Sequence, residues 1–540
     1  MTTDVLIIGG GTGGVAAALA VARSGGRCVV VEPTAWVGGQ FTAQGVPPDE
    51  NRWVESFGCT RAYAELRARV RGWYREHRAL TAAALADPLL NPGGGWVSRL
   101  CAEPRVWHAV MLEMLGPHVK DGRVTLLTGC EAVGVELEDG GDAVRAVRVR
   151  DGAGAERVIE ARLVLDATET GELLELAGVE HAIGAEGRAV YGEMHAPDGP
   201  SDPLDQQACS WCFALEHRPG EDHVVARPPA YDFWRSYVPA MTDGTEWTGP
   251  LFSWTVPSHS PEGRRTFRMV PWPDEPDAGE WEMWRYRRIV DASIHAAPTP
   301  DVSLINMVQM DYWQKPLLGV TPGARAEALR GAKEQSLCLL HWMQTEAPRH
   351  DGGAGYPGLR LRGEELGTAD GFAMHAYIRE PRRLLARTVV HEGHLGTEQR
   401  RAEGRPEPAG APADLGSGEA FADSVAIGHY TIDLHPSCSW RNSVYVACAP
   451  FRVPMGALIP RRVRNVLAAG KCLGVSHVAN GATRMHTTEW AVGEAAGVLA
   501  AWCAAHGREP AWVHADPARV RDVRGVMAGQ GLALAWPWEE

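Results

Sequence analysis

The chain has 540 residues, 45% of them hydrophobic, enough for two or three domains with sizeable cores. Its 67 acidic against 53 basic side chains leave a net charge of −14, the wrong sign for a protein that grips nucleic-acid phosphates. No apolar run approaches the ~18 residues that span a bilayer, and no basic-then-apolar leader precedes the first strand. Neither membrane nor nucleic acid is therefore an expected partner, and the expected compartment is the cytoplasm.

Val5-Leu-Ile-Ile8 is an apolar strand running into Gly9-Gly-Gly11-Thr-Gly-Gly14 and then an alanine-rich helix that closes at Gly25-Gly26. Gly9, Gly11 and Gly14 have the spacing of a dinucleotide loop, where glycine permits a tight turn, close approach of a pyrophosphate and helix-on-strand packing. Cys28-Val-Val-Val-Glu32 follows as a second strand whose final carboxylate stands where ribose hydroxyls are bound. A second glycine pair, Gly38-Gly39, lets backbone approach a longer ligand, which favours FAD over NAD.

Residues 55–90 and 105–115 carry helical spacing, separated by the Asn91-Pro-Gly-Gly-Gly95 loop. Short strands are predicted at Val124, Val133 and Val144, forming a three-stranded meander that returns to the core at Leu163. Between about 185 and 440, Pro and Gly breaks multiply and tryptophan accumulates, the pattern of a lid laid over a nucleotide site. The Gly404–Gly418 stretch reads as a mobile loop. Asn465–Lys471 is then a strand ending in glycine. A helix from Thr488 through Gly493-Glu-Ala-Ala-Gly497 follows, with Thr487 or Thr488 as its cap. The implied division is residues 1–185 and 440–510 for the nucleotide domain, 186–439 for the lid and 511–540 for an extension.

These motifs resemble the FAD-dependent oxidoreductases of the glutathione-reductase superfamily, the large bacterial group with an opening glycine loop and a closing G-E-A-A-G helix. Asp166-Ala-Thr-Glu-Thr-Gly-Glu-Leu173, Tyr377–Arg383, Ile432–Pro436, Pro450–Pro460 and Arg484–Trp490 carry the likeness further along the chain. It implies an α/β fold: a Rossmann-like FAD-binding domain with a three-layer ββα sandwich and β-meander, plus an α+β substrate or lid domain. It also implies that Gly9, Gly11 and Gly14 meet the FAD pyrophosphate, Glu32 the ribose and the Val133 backbone the adenine. Ala167 and Thr168 would line the cofactor, and Gly470 and Lys471 would meet its ribityl or pyrophosphate portion. The start of the Thr488 helix, with Gly493 on it, would face the flavin ring, where oriented amides stabilise negative charge. Asp166-Ala-Thr168 and Gly470-Lys471-Cys472 depart from the motifs of flavin hydroxylases, which disfavours a monooxygenase. Gly352–Gly355 follows no apolar strand, so no separate NAD(P)H unit is expected.

Oxidation at a flavin calls for a proton acceptor, and histidine suits neutral pH. His486 is the first candidate, either as base or as a positioning donor; His435 is second and His477 third. Arg484 either holds an anionic group or flavin carbonyl, or pairs with Glu489 or Glu494. Arg379, Arg382 and Arg383 are a carboxylate patch or an ion network around Glu380. Twenty tryptophans against nine phenylalanines offer Trp211, Trp313 and Trp342 as cavity walls, with core packing as their alternative. Eleven scattered cysteines, with one C-x-x-C at Cys209–Cys212, read as buried thiols and leave no zinc set, so no metal is expected. The expected activity is two-electron oxidation of a small alcohol, amine or C–C unit, with oxygen or another acceptor, and homo-oligomerisation is left open. Reduction of an activated double bond by an external donor is the alternative within enzymes. A flavin-bound tRNA-modifying or scaffold protein is the alternative outside them.

Overall fold

The computed structural model describes residues 1–242, 247, 249–257, 263–268, 270 and 280–539. β1 (Thr2–Ile8) leads through the glycine turn into α1 (Thr12–Arg23), and β2 (Cys28–Glu32) returns beside β1 in parallel register, Val5 opposite Cys28. Helices α2 (Arg61–His77) and α3 (Pro104–Lys120) follow, then β3 (Val124–Thr128), β4 (Cys130–Leu137), β5 (Val144–Asp151) and β6 (Glu156–Asp166). β3 is not a meander strand, as its spacing suggested. It lies parallel to β2 at the edge of the nucleotide sheet, and the meander is β4-β5-β6.

β6 is longer than predicted because its first half alternates charged residues toward solvent and so hides its strand character. Glu160 is the branch point, opposite Ala146 of antiparallel β5 on one side and Thr2 of parallel β1 on the other.

The central segment builds its own antiparallel sheet from β7 (Phe213–His217), β8 (Arg288–Val290), β9 (Val302–Ile305) and β10 (Leu359–Leu361), in the order β8-β9-β7-β10. The helix α4 (Pro322–Thr345), N-capped by Thr321, accompanies it. Trp313 and Trp342 are packed into this second core, which spans Ala208 to Ile378, and Trp211 donates its indole N–H to the Ala373 carbonyl at 2.7 Å. Cys209 and Cys212 are buried free thiols.

The chain then returns. Leu384, Ile432 and Leu434 pack into the nucleotide-domain core, although the sequence division groups them with the lid. β11 (Ile432–Leu434) pairs with β12 (Val444–Val446), and β13 (Val466–Ala468) completes the parallel sheet on the free side of β6. α5 (His477–Thr483) and α6 (His486–His506) close the domain. α6 begins two residues before Thr488 and has no side-chain cap; Thr487 and Thr488 lie inside its first turn with hydroxyls that find no partner. Among the described residues no helix is long and apolar enough to cross a membrane.

Candidate functional site

The C-terminal ends of β1, β2 and β6 meet at a cleft of about 310 Å³. Gly9 and Gly39 take φ of 96° and 52°, and a Cβ on Gly9 would stand 2.3 Å from the Ala167 carbonyl oxygen. A side chain on Gly39 would strike Gly11 and Glu169, so two loops and the end of β6 converge here with no room beyond hydrogen. Glu32 accepts hydrogen bonds from the Gly10 amide at 2.8 Å and from the Thr34 amide and hydroxyl at 2.9 and 2.6 Å. Burial nevertheless pushes its carboxyl up to about 7.

Of the expected cofactor residues, Gly9, Gly11, Glu32, Gly39, Ala167 and Thr168 line this cleft. Gly14 lies beneath Gly9, and Gly38, at φ 112°, packs against Met111 and Thr42. Val133 sits in the β-bulge of β4, and its neighbour Glu131 reaches the cleft. Gly470 approaches Ala167. Lys471 is buried behind the wall, donating to Glu169 and to the Ile378 carbonyl. Gly493 faces the backbone of Gly13, where it lets α6 lie against α1. The Thr488 hydroxyl is directed at Gly428. Gln44, Glu169, Arg325 and His375 also line the cleft. Burial would raise the Glu169 carboxyl, but Lys471 and Gln44 hold it below its usual range.

A second polar region lies at the start of α6. Nδ1 of His486 lies 3.1 Å from the Asp49 amide, the ring also meets the Val46 backbone, and Nε2 is buried. Burial, then the charges of Arg287 and Lys471, hold this imidazole well below its usual range. His435 turns Nδ1 to Asp311 at 2.6 Å and Nε2 toward Asp433 at 3.4 Å, which leaves neither nitrogen facing open space. Arg484 pairs with neither Glu489 nor Glu494. It donates to the Tyr377 hydroxyl at 3.1 Å and to Asp433 at 3.2 Å, while Gln40 donates to Glu489. Burial would raise the Asp433 carboxyl, but His435 and Arg484 hold it far below the carboxylate range. Asp49 accepts from the Tyr430 hydroxyl at 3.2 Å, and Arg287 stands 3.9 Å from its other oxygen. His477 is spent on Glu380 and Arg441. Arg379, Arg382 and Arg383 form a structural ion network, pairing with Asp311, Glu175 and the Glu186–Glu380 pair respectively. Among the described residues no group of three or more His, Cys, Asp or Glu side chains could hold a metal ion.

Burial also pushes Glu193 and Glu494 up to about 7. With Glu32, each has a folded-state value above its ordinary 4.5, so the stability it lends is full at low pH and is lost as pH rises through about 7. Histidines held low by burial, His394 at about 3 and His429 at about 4, oppose this only below their ordinary 6.5. Calorimetric Tm is therefore expected to fall by about 2–4 °C between pH 6.5 and 8. A rise over that interval would contradict these assignments.

No curated protein matches the chain. Among solved structures, L-proline dehydrogenase from P. horikoshii is 18% identical over 35% of this chain, with a TM-score of 0.17, and the chain spans only 25% of that protein. Glycerol-3-phosphate dehydrogenase from Bacillus halodurans, complexed with FAD, is 15% identical over 40% of each chain, with a TM-score of 0.23. OxyS anhydrotetracycline hydroxylase from Streptomyces rimosus is 14% identical over 72% of this chain and 54% of its own, with a TM-score of 0.26. These overlaps are too shallow to define the chemistry. The family model described as FAD dependent oxidoreductase matches residues 4–526, nearly the whole chain, and the protein belongs to that family.

Proposed function

We propose that the chain binds FAD along the Gly9–Glu32–Thr168 cleft and oxidises a small organic molecule by two electrons in the adjoining polar region. The observation that carries this reading is the glycine cradle at the C-terminal ends of parallel strands. Those residues fit the cofactor. Glu32 would accept from ribose hydroxyls, the α1 amide end would hold the diphosphate, and Gln44 and Glu169 would border it. FAD supplies the acceptor for the substrate's electron pair. The uncapped first turn of α6, with His486 at its start, would present its amides toward developing negative charge. The core around Phe41, Trp107 and Trp490 excludes water from beneath that turn.

Titration with FAD is the direct test: the protein should turn yellow and bind stoichiometrically, and a folded protein that refuses FAD refutes the reading. Glu32→Gln should weaken FAD binding about 10-fold by replacing one of two carboxyl oxygens that accept hydrogen bonds with an amide that donates, with unchanged circular dichroism. Anaerobic bleaching by alcohols, amines or organic acids would fix the direction of electron flow as oxidation, with oxygen or another acceptor restoring the colour. Recolouring of the chemically reduced protein by activated alkenes alone would make it a reductase.

A further inference from the structure

Arg287 precedes β8 and projects into the polar region beside His486. Four other deeply buried arginines have a carboxylate within hydrogen-bonding reach: Arg67 on Glu50, Arg379 on Asp311, Arg383 on Glu380 and Arg484 on Asp433. Arg287 has none. Its Nε and Nη1 are buried without a partner among the described residues, and the nearest carboxylate oxygen, on Asp49, is 3.9 Å away, beyond a hydrogen bond. The guanidinium lies 5.3 Å from the centre of the Tyr286 ring, and Tyr430 donates to the same Asp49. About a seventh of its side chain, 14%, is exposed. A buried, unsatisfied guanidinium is costly to keep in a folded chain and is normally completed by an acceptor.

We propose that Arg287 anchors a carboxylate of the substrate, so that the molecule oxidised is a small organic acid. The inference rests on the FAD reading above and narrows its substrate class. The fork of one guanidinium matches the two oxygens of a carboxylate. A phosphate dianion would need a second free cation, and the nearby candidates are committed: Arg484 to Asp433 and Lys471 to Glu169. Asp49 would also repel a dianion more strongly than a monoanion. The same Asp49 donates its amide to His486, so an acid held on Arg287 is tied through one residue to the imidazole at the α6 terminus.

The test uses FAD-loaded protein with acetate, benzoate and succinate as probes, and benzamide and inorganic phosphate as controls. At least one carboxylate should perturb the flavin absorption and raise Tm, and the controls should do neither. Arg287→Lys should weaken that carboxylate about 10-fold or more, and Arg287→Met about 100-fold or more, while both still take up FAD. Undiminished carboxylate binding by Arg287→Met would overturn the inference. So would equal binding of benzamide or phosphate, or no carboxylate effect on the wild type. Refusal of FAD by the wild type would instead sink the reading beneath it.

Discussion

Gly493→Ala should cost about 3 kcal/mol of stability and abolish FAD uptake, and Gly493→Val should leave no soluble protein. A Cβ at this position would stand 2.1 Å from the Gly13 carbonyl oxygen and 2.6 Å from its Cα, in backbone that cannot swing aside. One turn on, a Cβ at Gly497 would stand 2.5 Å from the Ala17 carbonyl oxygen, so α1 and α6 touch along two turns through small residues alone. Pushing them apart displaces the first turn of α1, where a Cβ on Gly13 would itself stand 2.0 Å from the Ala469 carbonyl oxygen. The glycine loop and the wall opposite it then move together, which is why cofactor binding and folding should fail at once. Gly72→Ala in α2 is the control. A Cβ there meets nothing within 4 Å, and the change should stabilise the protein by about 0.5–1 kcal/mol. Urea unfolding of Gly493→Ala and Gly72→Ala, with the soluble yield of Gly493→Val, checks the ranking, and a Gly493→Ala protein as stable as wild type would mean that the two helices do not pack as described.

That helix contact was half legible in the sequence. The small-residue face of Gly493-Glu-Ala-Ala-Gly497 is visible, and so is the alanine-rich α1, but their juxtaposition is not. Gly493 consequently reads as a cofactor contact when its neighbour is Gly13. The glycine loop, Glu32 and the β6 exit at Ala167-Thr168 are legible because the backbone itself demands those residue types at those places. β3 shows how strand character survives while partnership does not: its apolar pattern is the same whether it pairs with β2 or with a meander. The polar region is the least legible part. Asp49, Arg287, Tyr377, Tyr430 and Arg484 come together from across more than four hundred residues; Tyr377 and Arg484 open motifs of their own, but no local pattern marks Asp49, Arg287 or Tyr430. Even His486, which spacing singles out, is held by the amide of Asp49, 437 positions away.

Asp311 shows how strongly that region depends on partners distant in sequence, and Asp311→Leu should destabilise the protein by about 3–5 kcal/mol. The carboxylate is fully buried and serves three groups at once: Arg379 at 3.0 Å, Ser210 at 2.7 Å and His435 at 2.6 Å. Burial alone would raise its pKa, yet Arg379 and His435 hold it lowered, so at neutral pH it is an ionised acceptor. Leucine would leave the Arg379 guanidinium, only 2% exposed, with its charge uncompensated, and would release the His435 ring from one of its two carboxylates. Asp311→Asn should cost less, because a neutral amide still accepts from Arg379 and Ser210. The double variant Arg379→Met/Asp311→Leu should recover much of the loss, since replacing both members of a buried pair by apolar groups leaves no orphaned charge. Denaturant midpoints for the four proteins, wild type included, decide between an ion pair that holds the wall and one that merely decorates it. If Asp311→Leu unfolds within about 1 kcal/mol of wild type, the wall is held by the apolar packing of Tyr377 and Ile378 instead.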